Sequence, residues 1–333
     1  MNAAAMRTRP LGSTGLLVTP IGLGLAALGR PGYIDLGRDE DLGSDRNVES
    51  MERRAHEVLD AAYGAGIRYV DAARSYGRAE EFLASWLERR GLPPGSVTVG
   101  SKWGYTYVGE WRVDANVHEV KDHSLASLRR QVAESRAILG DRLSLYQIHS
   151  ATLESGVLED REVLAELAGL RADGLAVGLS VSGPRQPEVI RRALEVDVEG
   201  VNPFGAVQAT WNLLEPSAGT ALAEAHAAGW GVIVKEALAN GRLTPRAVEP
   251  AARLVIEDVT AERAWSADEV VIGAVLANPW ADVVLSGAVT VEQLGSNVGA
   301  TEVRLSADEQ ERLARLAEPP EQYWATRGAL RWS

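Results

Sequence analysis

The sequence predicts an α/β fold: a closed (β/α)8 TIM barrel with a β-hairpin ahead of it and an irregular tail behind. Three observations predict it. Eight short aliphatic or β-branched runs recur along 333 residues, each followed by a longer amphipathic stretch. The runs are almost continuously apolar, as strands buried on both faces are. The first run leads into Gly22-Leu23-Gly24-Leu25-Ala26-Ala27. That segment lacks the third glycine of a G-x-G-x-x-G turn and enters no clear helix, which disfavours an open dinucleotide-binding sheet. The length suits one barrel with insertions, so a single domain over residues 1–333 is expected.

In chain order, residues 9–11 and 16–18 flank Gly12-Ser13-Thr14-Gly15 and read as the hairpin. Strands are expected at 19–23, 68–71, 97–101, 143–148, 176–180, 201–208, 231–235 and 281–285. The polar, glycine-containing stretch 30–50 reads as an inserted loop. Helices are expected at 52–64, stopped by Gly64 and Gly66, then at 79–90, 124–139 and 160–171. Further helices are expected at 187–194, 219–228, 267–276 and 291–298. Ser266 and Glu269 suggest a capping box for the helix at 267, and Thr290 a cap for the last. Beyond Leu316, Pro319 and Pro320 read as breakers, with Tyr323, Trp324 and Trp332 as aromatic anchors of an irregular tail.

Composition narrows the function. There is no cysteine, which excludes disulfides, thiolate catalysis and thiolate-bound metals and suits a cytoplasmic location. The start, MNAAAMRTRP, holds no apolar run of signal-peptide length, and no stretch of about 18 apolar residues occurs, so no membrane span is expected. A formal net charge of −12 argues against nucleic acid or an anionic membrane as partner. The five histidines are scattered, so no metal site is expected.

In such a barrel, chemistry sits where strands end. Asp71 closes the second strand and Tyr76 follows five residues on; Lys102 follows the third strand and His149 the fourth. Alone, each has an ordinary reading: a turn cap, a solvated lysine, a satisfied rim histidine. Together they fit one reaction. A carbonyl accepting hydride needs a proton on its oxygen, and a phenol is a weak acid unless a nearby cation favours its ionised form. An ammonium does that, a carboxylate holds the ammonium, and an imidazole orients the oxygen.

Those residues, with Glu80, Ser101 and Gln147-Ile148-His149, sit in a sequence that resembles the aldo-keto reductases. Leu11-Gly12-Ser13-Thr14-Gly15-Leu16, Ile21-Gly22-Leu23-Gly24 and the stretch from Ser286-Gly287-Ala288-Val289-Thr290 to Asn297 carry the same resemblance. It implies an NAD(P)(H)-dependent oxidoreductase acting on a small carbonyl or alcohol compound. Tyr76 would be its acid/base, Lys102 and Asp71 its tuning pair, and His149 its substrate orienter. It also implies an extended cofactor across the barrel mouth, with Gly24 beneath the nicotinamide and Ser180 and Gln208 on the carboxamide. Leu238, Gly241 and Arg242 would lie near the pyrophosphate, and Gly287, Ala288, Val289, Thr290, Gln293 and Asn297 at the adenosine end. Two departures stand out. Val181 replaces an expected asparagine, and Lys235 occupies the place of a stacking aromatic ring. No cation is evident near Gly287 to grip a 2′-phosphate, so NADP and NAD both stay open. The aromatic run after the third strand offers Trp103 as a pocket wall and Trp111 beside it, with Trp211 and Trp324 as further candidates. Two other readings are weighed: a catalytically silent, cofactor-binding regulatory protein on the same barrel, and a Schiff-base enzyme using Lys102 or Lys235. The second leaves Tyr76 and the eighth-strand loop without a role.

Overall fold

The computed structural model describes residues 6–246, 250–261 and 263–332. Eight parallel strands close into a barrel: β1 Ile21–Gly24, β2 Tyr69–Asp71, β3 Thr98–Trp103, β4 Leu143–Ala151, β5 Ala176–Val181, β6 Ala206–Thr210, β7 Gly231–Lys235 and β8 Val283–Ser286. Each pairs with its chain neighbour, and β8 pairs with β1, where Leu285 faces Gly22. The outer helices are α1 Val48–Gly64, α2 Ala79–Arg89, α3 Leu125–Leu139, α4 Arg161–Ala172, α5 Gln186–Leu194, α6 Gly219–Ala227, α7 Ala267–Leu276 and α8 Val291–Gly299. The predicted caps form: Ser266 and Glu269 make a reciprocal capping box, and the Thr290 hydroxyl accepts from the Gln293 N–H.

The hairpin is the short ribbon Arg9–Pro10 with Leu17–Val18, and it plugs the N-terminal mouth. Leu11 and Val18 bury against Tyr69, Leu145, Ala206, Ile233 and Val283 from the strand starts. Gly12 is required there: its φ is +51°, and a Cβ would lie 2.2 Å from the Gly231 nitrogen. With that end closed, a ligand has only the C-terminal rim to use.

Three expectations change. The sixth strand starts at Ala206 rather than 201, because Asn202 bonds back to the end of α5 and holds the preceding residues outside the sheet. The inserted stretch carries a short helix, Arg38–Leu42. The tail beyond Leu316 carries a helix, Pro320–Gly328, that starts on Pro320, and just before it Ala307–Ala314 opens on a Ser306–Glu309 capping box. A proline at the first helical position costs no hydrogen bond, so the residue read as a breaker is a starter. The N-terminal stretch compared with a signal peptide falls partly outside the described residues. Among the described residues, no helix is long and apolar enough to cross a membrane.

Candidate functional site

Four consecutive elements bring the predicted residues to one point on the rim. Asp71, 2% exposed, ends β2. Its carboxylate accepts from the Lys102 ammonium, from Gln208 Nε2 at 2.9 Å and from the Tyr69 hydroxyl at 3.2 Å. Gly100 makes room for this: a Cβ there would lie 2.5 Å from the Tyr69 hydroxyl. Lys102 Nζ also donates to the Ala72 carbonyl at 3.0 Å and to the Tyr76 hydroxyl at 3.3 Å. His149 sets its ring edge-on to Tyr76, 5.4 Å between centroids, with Nδ1 3.3 Å from the Ser75 hydroxyl.

Burial dominates the ionisation of these groups. It pushes the Tyr76 phenol well above its ordinary value, with Asp71 adding to the push and Arg30 opposing it. Burial and the neighbouring cations Lys102, Arg30 and Lys235 hold the His149 imidazole well below its ordinary value. The phenol therefore carries its proton at neutral pH, and the imidazole is uncharged.

A cleft of about 290 Å³ leads away from this cluster. Gly24, Gln208, Lys235, Leu238, Gly241, Gly287, Ala288, Gln293 and Asn297 line it together with Asp71 and Tyr76. Other anticipated residues stand back from it. The Ser180 hydroxyl accepts from the Ser150 N–H at 2.8 Å, and Arg242 is paired with Glu318 at 2.5 Å. Val289 is buried, and Thr290 serves as the cap of α8. The N–H groups of Ala288 and Val289 are already taken by Ser286 Oγ and Gln293 Oε1. Trp103 is fully buried at the end of β3, and Trp111 leans on Phe82 and donates to the Arg46 carbonyl; neither lines the cleft. Trp211 packs edge-on against Trp280.

Several participants escaped the sequence reading. At the far end, Arg38 pairs with Asp35 at 2.5 Å within the inserted segment, and Arg246 pairs with Asp41 at 2.7 Å, bridging that segment to the loop after β7. The Leu36 N–H donates to the Asn240 carbonyl and the Asn240 side-chain amide to the Ile34 carbonyl, tying the same two segments and roofing the cleft there. Asp268 also lines this end. Its Oδ1 is buried without a hydrogen-bond partner among the described residues, and burial raises its carboxyl. Asn240 Oδ1 and Asn297 Oδ1 are likewise unpartnered acceptors. Orphaned acceptors along one groove fit a ligand rich in hydroxyl and amino groups, as an adenosine moiety is. Among the described residues, no group of three or more acidic or histidine side chains is placed to hold a metal ion.

Near the tetrad, Lys235 Nζ donates to the Thr210 hydroxyl at 2.6 Å and lies 3.9 Å from Glu236. Glu236, at φ +58°, is gripped by Arg327 from the tail helix at 2.5 Å. Burial opposes its charge, yet Arg327 and Lys235 hold its carboxyl at about 2. Burial brings the Lys235 ammonium down to about 8, below the ordinary ~10.4. Between those values the unfolded chain binds more protons than the folded one, so this residue's contribution to stability rises as pH rises from about 8 to about 10. Denaturant unfolding of Lys235→Met beside the parent should show the parent gaining on the order of 2–3 kcal/mol relative to the variant across that window. A constant difference would rule out the depressed lysine.

The Aldo/keto reductase family pattern matches residues 20–318. An uncharacterized oxidoreductase of Bacillus subtilis, YqkF, is 26% identical over 92% of this chain and 94% of its own. A pyridoxal 4-dehydrogenase of Microbacterium luteolum is 28% identical over 59% of this chain and 60% of its own. A solved Pseudomonas aeruginosa structure, titled as an aldo-keto reductase, superposes with a TM-score of 0.64 at 29% identity, covering 89% of this chain and 94% of that one. The holo form of a Bacillus halodurans aldo-keto reductase shares the fold, with a TM-score of 0.72 at 23% identity over 94% and 97% of the two chains. A closed barrel with its polar cluster and cleft at one rim, matched along most of its length, places this chain in the aldo/keto reductase family.

Proposed function

We propose that this chain is an NAD(P)(H)-linked oxidoreductase that interconverts a small carbonyl compound and its alcohol, working as one barrel domain. The observation that carries this reading is the convergence of Asp71, Tyr76, Lys102 and His149 at the head of one cleft. A bound nicotinamide cofactor supplies or accepts the hydride. The chain's own residues manage the proton. Tyr76 holds it on its hydroxyl at neutral pH and gives it to the carbonyl oxygen as charge develops there. Lys102, 3.3 Å away, stabilises the phenolate left behind, and its ion pair with Asp71 holds it in place. In the tautomer where His149 Nδ1 accepts from the Ser75 hydroxyl, the neutral ring carries its proton on Nε2 and can orient the substrate oxygen with it. Gln208, Asn240 and Asn297 offer amide groups along the cleft for the cofactor.

Charge pairing bears on which cofactor. Arg38 and Arg246 are each matched by an aspartate at the Gly287 end, and Asp268 adds a carboxylate with no ion pair among the described residues. A 2′-phosphate would meet no unmatched cation there. NADH is therefore expected to bind at least as tightly as NADPH. Fluorescence titration with both, followed by turnover on a panel of aldehydes, tests the reading. A preference of about a hundredfold for NADPH, some 2.7 kcal/mol, would overturn the charge argument. Failure of both cofactors to bind would overturn the oxidoreductase.

A further inference from the structure

Arg30 follows β1 and is 2% exposed, yet nothing in the tetrad accounts for it. Its Nε donates to the Ala26 carbonyl at 3.0 Å and its Nη1 to the Ser75 carbonyl at 3.1 Å. Nη1 also pairs with Glu119 at 2.5 Å. The guanidinium carbon lies 5.1 Å from the ring centroids of both Tyr33 and Tyr76, and 4.6 Å from that of Trp332. Trp332 is held in turn by stacking on His118, 3.9 Å between centroids and 9° from parallel. Three rings and a carboxylate thus fix one cation against the acid of the site, and the bond to Ser75 pins the backbone that presents it.

We propose that Arg30 is a positioning residue for proton transfer: clamped by Trp332, it stabilises negative charge on the Tyr76 ring. This rests on Tyr76 being the proton donor. A cation is drawn to an aromatic ring, and more strongly to one carrying part of a phenolate's charge. The groups facing Tyr76 are Tyr33 after β1, Asp71 and Tyr69 from β2, Lys102 from β3, His149 from β4, Glu119 from the ribbon formed by Tyr105–Tyr107 and Glu119–Lys121, Lys235 at the end of β7 and Glu236 after it. The three carboxylates oppose ionisation, and Lys102 is already matched by Asp71. Glu119 matches Arg30 less completely, because the carboxylate is 21% exposed and screened by water while the guanidinium is not. The neutral His149 adds no charge. Arg30 is thus a second cation favouring the phenolate, set over the ring where Lys102 sits at the hydroxyl.

The test uses the full chain labelled with [13Cζ]tyrosine, with Tyr76→Phe assigning the resonance. In Arg30→Gln the Tyr76 titration midpoint should rise by about one pH unit or more, a tenfold change in proton affinity. Arg30→Lys should bring it most of the way back. In NADH-linked reduction of para-nitrobenzaldehyde, the alkaline limb of the kcat profile should move by the same amount while KM for NADH stays within about twofold. An unmoved midpoint in Arg30→Gln overturns the proposal, as does a parent Tyr76 that never ionises before alkaline unfolding. Should Arg30→Gln fail to fold, Trp332→Ala takes its place. It leaves the charge and wets it, so the midpoint should rise by a smaller amount, and no rise overturns the proposal. Full turnover by Tyr76→Phe would instead remove the proton-donor reading, whatever the Arg30 variants show.

Discussion

Tyr76→Phe should lower kcat for carbonyl reduction by about 10²- to 10⁴-fold and leave the dissociation constant for the cofactor within about twofold. The asymmetry follows from what is removed. The ring contacts to His149 and Arg30 persist in phenylalanine, so the packing of the site and the shape of the cleft survive. Only the hydroxyl is lost, and with it the atom 3.3 Å from Lys102. Burial of that hydroxyl is consistent with a donor that is fully protonated near pH 7 and is deprotonated only as the substrate oxygen acquires charge. Single-turnover rates with parallel cofactor titrations separate the two quantities. Undiminished turnover would exclude the phenol as the proton source.

The barrel and the tetrad were legible because both are written locally. A strand buried on two faces is apolar throughout, and a residue one step past such a strand lies on the rim. Asp71 at a strand end, Lys102 and His149 just past expected strand ends and Tyr76 five residues on were singled out by their place, and their combination with the family resemblance gave them roles. What stayed hidden depends on pairs far apart in sequence. Arg30 meets Trp332, Arg246 meets Asp41, and Glu236 meets Arg327 only after the insertion and tail fold over the rim. The cation absent from the eighth-strand loop is supplied to that region from residues 38 and 246, already neutralised by aspartates. The aromatic run misled for a related reason. Trp103 sits at a strand end whose neighbouring ribbon covers it, and Trp111 turns toward α2. The rings nearest the chemistry come instead from Tyr33, Tyr105 and the tail.

Lys102→Met should damage both stability and rate, and the two losses can be separated. The Lys102 and Asp71 side chains are 0% and 2% exposed. Removing one member of so buried a pair leaves an uncompensated charge, at a cost of about 3–5 kcal/mol. Turnover should fall to about the level of Tyr76→Phe, since no ammonium remains beside the phenolate. Asp71→Asn should destabilise comparably, because it strands the ammonium instead. Combining the two changes removes both charges, and a neutral buried pair costs little. The double variant should therefore recover most of the lost stability, so the coupling energy in the cycle should exceed the loss caused by either single change. It should recover none of the rate, because catalysis needs the charge that stability does not. Urea unfolding and kcat measured on all four proteins decide the matter. A double variant that regains turnover along with stability would mean that the pair is scaffolding and that some other group makes the phenolate tolerable.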